Sequence, residues 1–91
     1  MGQVLVEKNP SPMKLEVLNV DDWPILQHEP GQFETCEERT ETSLILEGEA
    51  HIQVDGEQPV MIQDGDLVTI LPGTPCSWHI TKAIKRHHLL G

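Results

Sequence analysis

The sequence predicts an all-β domain, an antiparallel barrel or sandwich of short strands. Three features carry that expectation. Apolar residues recur with strand-like alternation, as where Ala50, Ile52 and Val54 are set against Glu49, His51 and Gln53. Seven glycines and seven prolines fall between such runs in a chain of 91 residues, where they interrupt helices and favour turns. Turn signals recur roughly every eight to twelve residues, with no internal repeat and no convincing helix, as in a single β-sandwich or barrel.

The elements follow in order. The length gives one domain, residues 1–91, with residues 1–14 as an N-terminal arm or edge strand. Within that arm Gln3-Val4-Leu5-Val6 reads as a short edge strand. Pro10 and Pro12 block regular structure and leave the arm extended. Residues 14–20 are weakly strand-like, and Asp21-Asp22-Trp23-Pro24 makes a turn. Ile25 and Leu26 lead to a second turn at His28-Glu29-Pro30-Gly31.

Residues 32–38 are unusually polar for a strand. One face carries Phe33, Thr35 and Glu37, and the other carries Glu34, Cys36 and Glu38. Either choice brings an acid inward, where a carboxylate needs a partner, a proton or a metal. The residues alone leave that choice open.

Glu41 opens the next apolar run, which is expected to end at a Glu47-Gly48 turn. The strand through Ala50, Ile52 and Val54 closes on an Asp55-Gly56 hairpin, because glycine accepts positive φ. Pro59-Val60-Met61-Ile62 pairs back, Asp64-Gly65 turns again, and residues 67–71 form a strand apolar on both faces. After Pro72-Gly73-Thr74-Pro75, Cys76, Trp78 and Ile80 alternate with Ser77 and His79, and residues 83–90 form a closing strand.

Charge narrows the partners. Fifteen acids against six bases give a net charge of −9. Nucleic-acid binding needs a basic face to release counterions, so no nucleic-acid partner is expected. Lys82, Lys85, Arg86, His87 and His88 make only a mild local excess of bases. No window approaches the ~20 apolar residues of a membrane helix, and the N-terminal residues lack the apolar core of a signal peptide. The expectation is a cytoplasmic protein with no membrane partner, its two cysteines kept as thiols.

With these motifs in place the chain resembles a cupin, which implies a double-stranded β-helix, or jelly-roll, antiparallel barrel. Glu41, six residues and Gly48 match the second half of the first cupin motif. Gly65-Asp66, an apolar strand, Pro72-Gly73-Thr74-Pro75 and Cys76 resemble the second motif. Trp23-Pro24, Leu46-Glu47-Gly48, Cys76-Ser77-Trp78 and Lys85-Arg86-His87 are similar to features of small single-domain cupins of the ureidoglycine aminohydrolase-like subgroup.

Cupins of the usual kind hold a metal through two His and a Glu of the first motif and a His of the second. Here the two His slots fall on Thr35 and Glu37, or on Glu34 and Cys36, according to the spacer. The second-motif His slot falls on Cys76, and Glu41 alone stands where the resemblance wants it. The resemblance therefore implies a candidate metal set of Glu41, Cys76 and Cys36, whose thiolates and carboxylate suit zinc as the one divalent metal. Beside it stands the bland reading, in which Cys76 is a small buried hydrophobe in an empty or merely polar pocket.

Glu34, Glu37 and Trp78 are the candidate pocket residues, Trp78 serving either to stack a ligand or to fill the core. The five histidines read as solvated or packing residues, with adjacent His87 and His88 pointing apart.

Three readings of function stand together. The first is a small-molecule-binding cupin with a metal in its barrel. The second is a metal-dependent hydrolase or isomerase acting on a small metabolite. The third is a filled barrel serving as a structural or interaction module. A homodimer joined through residues 3–6 is expected, since an exposed strand edge has to be covered.

Overall fold

A computed structural model of the chain describes residues 3–54 and 56–91. Seven strands, β1 (Val4–Glu7), β2 (Ile25–His28), β3 (Gly31–Thr35), β4 (Glu41–Val54), β5 (Val60–Gln63), β6 (Leu67–Ile70) and β7 (Cys76–Leu90), form an all-antiparallel sheet in the order β1-β6-β4-β7-β2. Off that path β3 pairs with β7 and β5 with β4.

The two long strands explain the architecture. Residues 41–45 of β4 pair with residues 86–90 of β7, and residues 50–54 pair with residues 76–80. Between these halves the register shifts three times. The ribbon bends there, so one layer contains β1, β6, the first half of β4, the second half of β7 and β2. The other layer contains β5, the second half of β4, the first half of β7 and β3. Ile45, Val68, Ile70 and Ile84 of the first layer pack in one core with Ala50, Ile52, Ile62, Trp78 and Ile80 of the second. The result is the double-layered jelly-roll.

Gly48 makes the bend possible. Its φ is +103°, and a Cβ there would lie 2.2 Å from the Ala83 carbonyl oxygen. Only glycine permits that approach and that dihedral together. The bulge also shifts which β4 residues face inward: Glu41, Ser43 and Ile45 before it, Ala50 and Ile52 after it. The expected Glu47-Gly48 turn is thus a bend inside one continuous strand. Likewise residues 83–90 continue β7 and do not start a separate strand.

The N-terminal segment departs further from expectation. Residues 4–7 form β1 at the end of the strand order, but a short helix α1 (Pro12–Val17) and a one-turn 3-10 helix (Val20–Asp22) follow. Ser11 caps α1, its Oγ accepting from the Lys14 amide at 3.2 Å. Pro12 sits in the first turn, where its missing N–H costs nothing. The proline pair taken for an extended arm is therefore a helix start. This segment covers the outer face of the first layer, where Val20 and Trp23 pack on Leu44 and Leu67. That accounts for the two apolar faces of residues 67–71. Lys8 anchors the segment through buried Asp66 at 2.7 Å, and Asp66 also accepts from the Gln63 amide at 2.9 Å.

The β4–β5 hairpin forms as expected, with Ile52 opposite Val60. Gly56 has φ +81°, whereas Asp55 of the predicted turn lies outside the described residues. No helix among the described residues is long and apolar enough to cross a membrane.

Candidate functional site

The bend at Gly48 places the second half of β7 across the barrel from its first half, and a polar cluster forms between them. Inward alternation along β7 runs through Cys76, Trp78, Ile80, Ile84 and Arg86. Arg86 is only 3% exposed, and its guanidinium carbon lies 4.7 Å from the centroid of the Trp78 ring. Trp78 stacks in turn on Phe33 (5.6 Å, 11°), and Phe33 on His28 (4.9 Å, 24°). His28 closes the circuit: its Nε2 accepts from Arg86 Nε at 3.3 Å and lies 3.2 Å from Nη2.

Arg86 Nη1 also donates to Ser43 Oγ at 2.7 Å and stands 3.9 Å from Glu41 Oε1. Glu41 is 4% exposed. Its Oε2 accepts from His88 Nε2 at 2.9 Å, while its Oε1 has no hydrogen-bond partner. Trp78 Nε1 is the other buried side-chain polar atom left unpaired among the described residues.

Electrostatics follow from this packing. Burial lowers the His28 pKa below the ordinary value, helped by the Arg86 charge and then His88, with Glu41 opposing. His28 is thereby kept as the neutral acceptor that Arg86 requires. Burial also lowers the Arg86 pKa, and Glu41 offsets part of that effect. At Cys76, burial, then the Glu41 charge, then Cys36 push the thiol up to about 11.

A separate cleft of about 740 Å³ opens where β3 and β4 end and β7 begins, lined by Glu34, Thr35, Cys36, Gln53, Pro75, Cys76 and Ser77. Cys76 lines this cleft and also feels the charge of Glu41. Its Sγ donates to the Thr74 carbonyl at 3.5 Å.

The expected site residues are distributed unevenly over this geometry. The open question about residues 32–38 resolves with Phe33 and Thr35 facing the barrel, since they pair with inward Trp78 and Cys76. Exposed Glu34 lines the cleft; half-buried Glu37 does not, its carbonyl accepting instead from the Gly73 amide at 2.8 Å. Trp78 is fully buried under Arg86 and Phe33, away from the cleft lining.

The metal set does not fit. Among the described residues no three His, Cys, Asp or Glu side chains converge as a metal-holding group. Cys36 is exposed, Cys76 is a buried protonated thiol bonded to a carbonyl, and Glu41 is engaged by His88. Cysteine holds zinc as its thiolate, and burial followed by the Glu41 charge disfavours that form at Cys76.

Arg86, His88, Ser43 and His28 escaped the sequence reading. The signal existed for two of them: extending the Cys76, Trp78, Ile80 alternation by even steps reaches Arg86 and His88. His87, on the opposite face, donates from Nδ1 to the Trp23 carbonyl at 3.0 Å and is structural.

Comparison with known proteins agrees with this architecture. The model of the EutQ-like cupin domain matches residues 15–88. A DUF861 family protein from Thermotoga maritima is 34% identical over 98% of this chain and 100% of its own, with a TM-score of 0.92. A putative ethanolamine utilization protein Q from Salmonella typhimurium is 21% identical, with a TM-score of 0.66 over 72% of this chain and 53% of its own. The EutQ protein of Clostridium difficile is 15% identical, with a TM-score of 0.66 over 97% of this chain and 67% of its own. No curated protein matches the chain significantly. Matched by the family model over most of its length, the chain belongs to the EutQ-like cupin family.

Proposed function

We propose that this protein is a small-molecule-binding cupin whose ligand is held at the cleft beside Cys76 and recognised by the polar interior around Glu41. One observation carries the reading: Glu41 Oε1 is buried without a hydrogen-bond partner. Leaving such an atom unpaired costs roughly 1–3 kcal/mol, more for a charged group. A fold that holds the carboxylate in place with His88 and keeps Arg86 nearby has a use for its free oxygen. Screening amide-labelled protein by NMR against mixtures of small polar metabolites tests this. Saturable shifts at the cleft residues support it, and a spectrum indifferent to every mixture contradicts it.

A filled barrel with a structural role is the second reading, favoured by the Arg86–Trp78–Phe33 packing that occupies the interior. The same screen separates the two. A metal-dependent hydrolase or isomerase like ureidoglycine aminohydrolase needs a metal site, and among the described residues no three His, Cys, Asp or Glu side chains converge to support one. Stoichiometric metal in the purified protein that vanishes in a Glu41→Ala, Cys76→Ala variant is the result that would restore it.

The proposal extends to a cytoplasmic homodimer. β1 ends the strand order and Leu5 on it is exposed, so residues 3–6 offer an edge for pairing with a second copy. Light scattering at micromolar concentration that returns a monomer contradicts the dimer.

A further inference from the structure

We infer that Cys36 and Cys76 form a reversible oxidation site: a hydroperoxide oxidises Cys36, and Cys76 then closes an intramolecular disulfide beside the cleft. Both are free thiols, and both line that cleft. They also belong to one strand pair. Thr35, the last residue of β3, stands opposite Cys76, the first residue of β7. Cys36 is one step beyond Thr35. Combining the spacing of paired antiparallel strands with the rise of one residue puts its Cα about 6 Å from that of Cys76, within the roughly 4.4–6.8 Å that a disulfide spans. The backbone fixes Cys36 from both sides. Before it β3 pairs with β7, and after it the Glu37 carbonyl accepts from the Gly73 amide at 2.8 Å. Cys36 is thus laid along residues 73–76, past the point where β3 ends. The Cys76 thiol feels its charge across that gap.

The two thiols differ in the way a two-step oxidation needs. Cys36 is exposed and open to an oxidant in solution. Cys76 is 3% exposed, and its Sγ donates to the Thr74 carbonyl at 3.5 Å. Burial disfavours its thiolate, the reactive form, so oxidant acts first at Cys36. With hydrogen peroxide, the Cys36 thiolate attacks one oxygen and the O–O bond breaks. Cys36 becomes a sulfenic acid, and the other oxygen leaves as water with the thiol proton. The Cys76 sulfur then attacks the Cys36 sulfur. The S–S bond forms, the S–O bond breaks, and the hydroxyl departs with the Cys76 proton as a second water. The two thiols together lose two electrons and two protons, and the peroxide is reduced. Charge favours a neutral oxidant of this kind. The chain carries −9, and the cleft contains Glu34 and no cationic side chain, so an anionic oxidant is repelled. A thiol reductant reverses the bridge by exchange.

To test this, the full chain is exposed to hydrogen peroxide without reductant, alkylated with iodoacetamide under denaturing conditions, and digested for peptide mass spectrometry. The expected product is a linked pair of peptides carrying Cys36 and Cys76 from one chain. Dithiothreitol should return both to thiols that alkylate. Cys36→Ser should lower oxidation of Cys76 at the same exposure at least tenfold. Cys76→Ser should stop at the sulfenic acid, which dimedone traps at Cys36. The linked peptides of the native chain decide the pairing even where a variant fails to fold. Cys36 recovered as sulfinic or sulfonic acid with Cys76 still a thiol overturns the pairing, as does a disulfide joining Cys36 of two chains. Both cysteines still alkylating after prolonged exposure overturns the site. Cys76 oxidised as readily in Cys36→Ser as in the native chain overturns the order of the two steps.

Discussion

Arg86 lies over the face of Trp78 with 4.7 Å between guanidinium carbon and ring centroid, although the two residues belong to one strand. Eight residues of straight strand span about 26 Å. The contact therefore measures how sharply the β4–β7 ribbon folds back on itself, and Gly48 opposite Ala83 is where it folds.

Gly48→Ala should accordingly be among the most damaging single-methyl changes in the chain. The added Cβ meets backbone at 2.2 Å, so the chain there must shift, and it leaves the residue at φ +103°, itself a strain of order 1–3 kcal/mol. Denaturant unfolding should show a loss of about 2 kcal/mol or more, with the intrinsic helix preference of alanine giving no relief. A loss under about 0.5 kcal/mol, the scale of an ordinary surface change, would show that the bend does not depend on this glycine.

Removing Arg86 tests the polar interior. Arg86→Met leaves Glu41 buried without its nearby cation and Ser43 without its donor. Breaking a buried charged pair in this way costs about 3–5 kcal/mol. Adding Glu41→Gln to the same chain should recover part of the loss, because the uncompensated charge is gone. Additive losses in the double variant would show that the two residues act independently.

Stability should fall as the solution becomes acidic, with His28 contributing. Its folded pKa is lowered, by burial first and by Arg86 second. The unfolded chain therefore takes up a proton that the folded chain resists. The contribution is present above the ordinary histidine value of about 6.5 and is lost as pH falls toward and through the lowered folded value. His28→Gln, which keeps an acceptor for Arg86 but does not titrate, should flatten the decline that begins below the ordinary histidine value. An unchanged slope in that variant would mean His28 does not carry the effect.

The two cysteines should react very differently. Cys36 is exposed, whereas Cys76 is buried with its thiol pushed up to about 11. Brief iodoacetamide treatment near pH 8 should label Cys36 and leave Cys76 intact by peptide mass spectrometry. Labelling of both at similar rates would contradict the buried position of Cys76.

The strands were largely legible because alternation is a local property. Residues 50–54 and 76–80 announce their faces in the sequence, and residues 60–63 and 67–70 read as strands from their apolar runs between turns. What was hidden depended on the bulge. A reader who stops the strand at Glu47-Gly48 cannot know that Glu41 and Ser43 face the same interior as Ala50 and Ile52. Arg86 and His88 were masked by composition, since a basic C-terminal run suggests a solvated surface. Their partners lie across the barrel, 47 residues away along the chain for the Glu41–His88 pair. The short helix escaped for a different reason: two prolines read as helix breakers, although proline in a first turn is compatible with a helix.

Titrating Cys76 in the native protein and in Glu41→Gln tests most directly whether the folded-over ribbon makes one polar interior. If positions 41 and 76 face each other across the barrel, the thiol should ionise near 11 in the native protein, and neutralising residue 41 should bring that midpoint down. A midpoint that stays put when the carboxylate is removed, in a variant that remains folded, would place the two residues in separate environments and contradict the account.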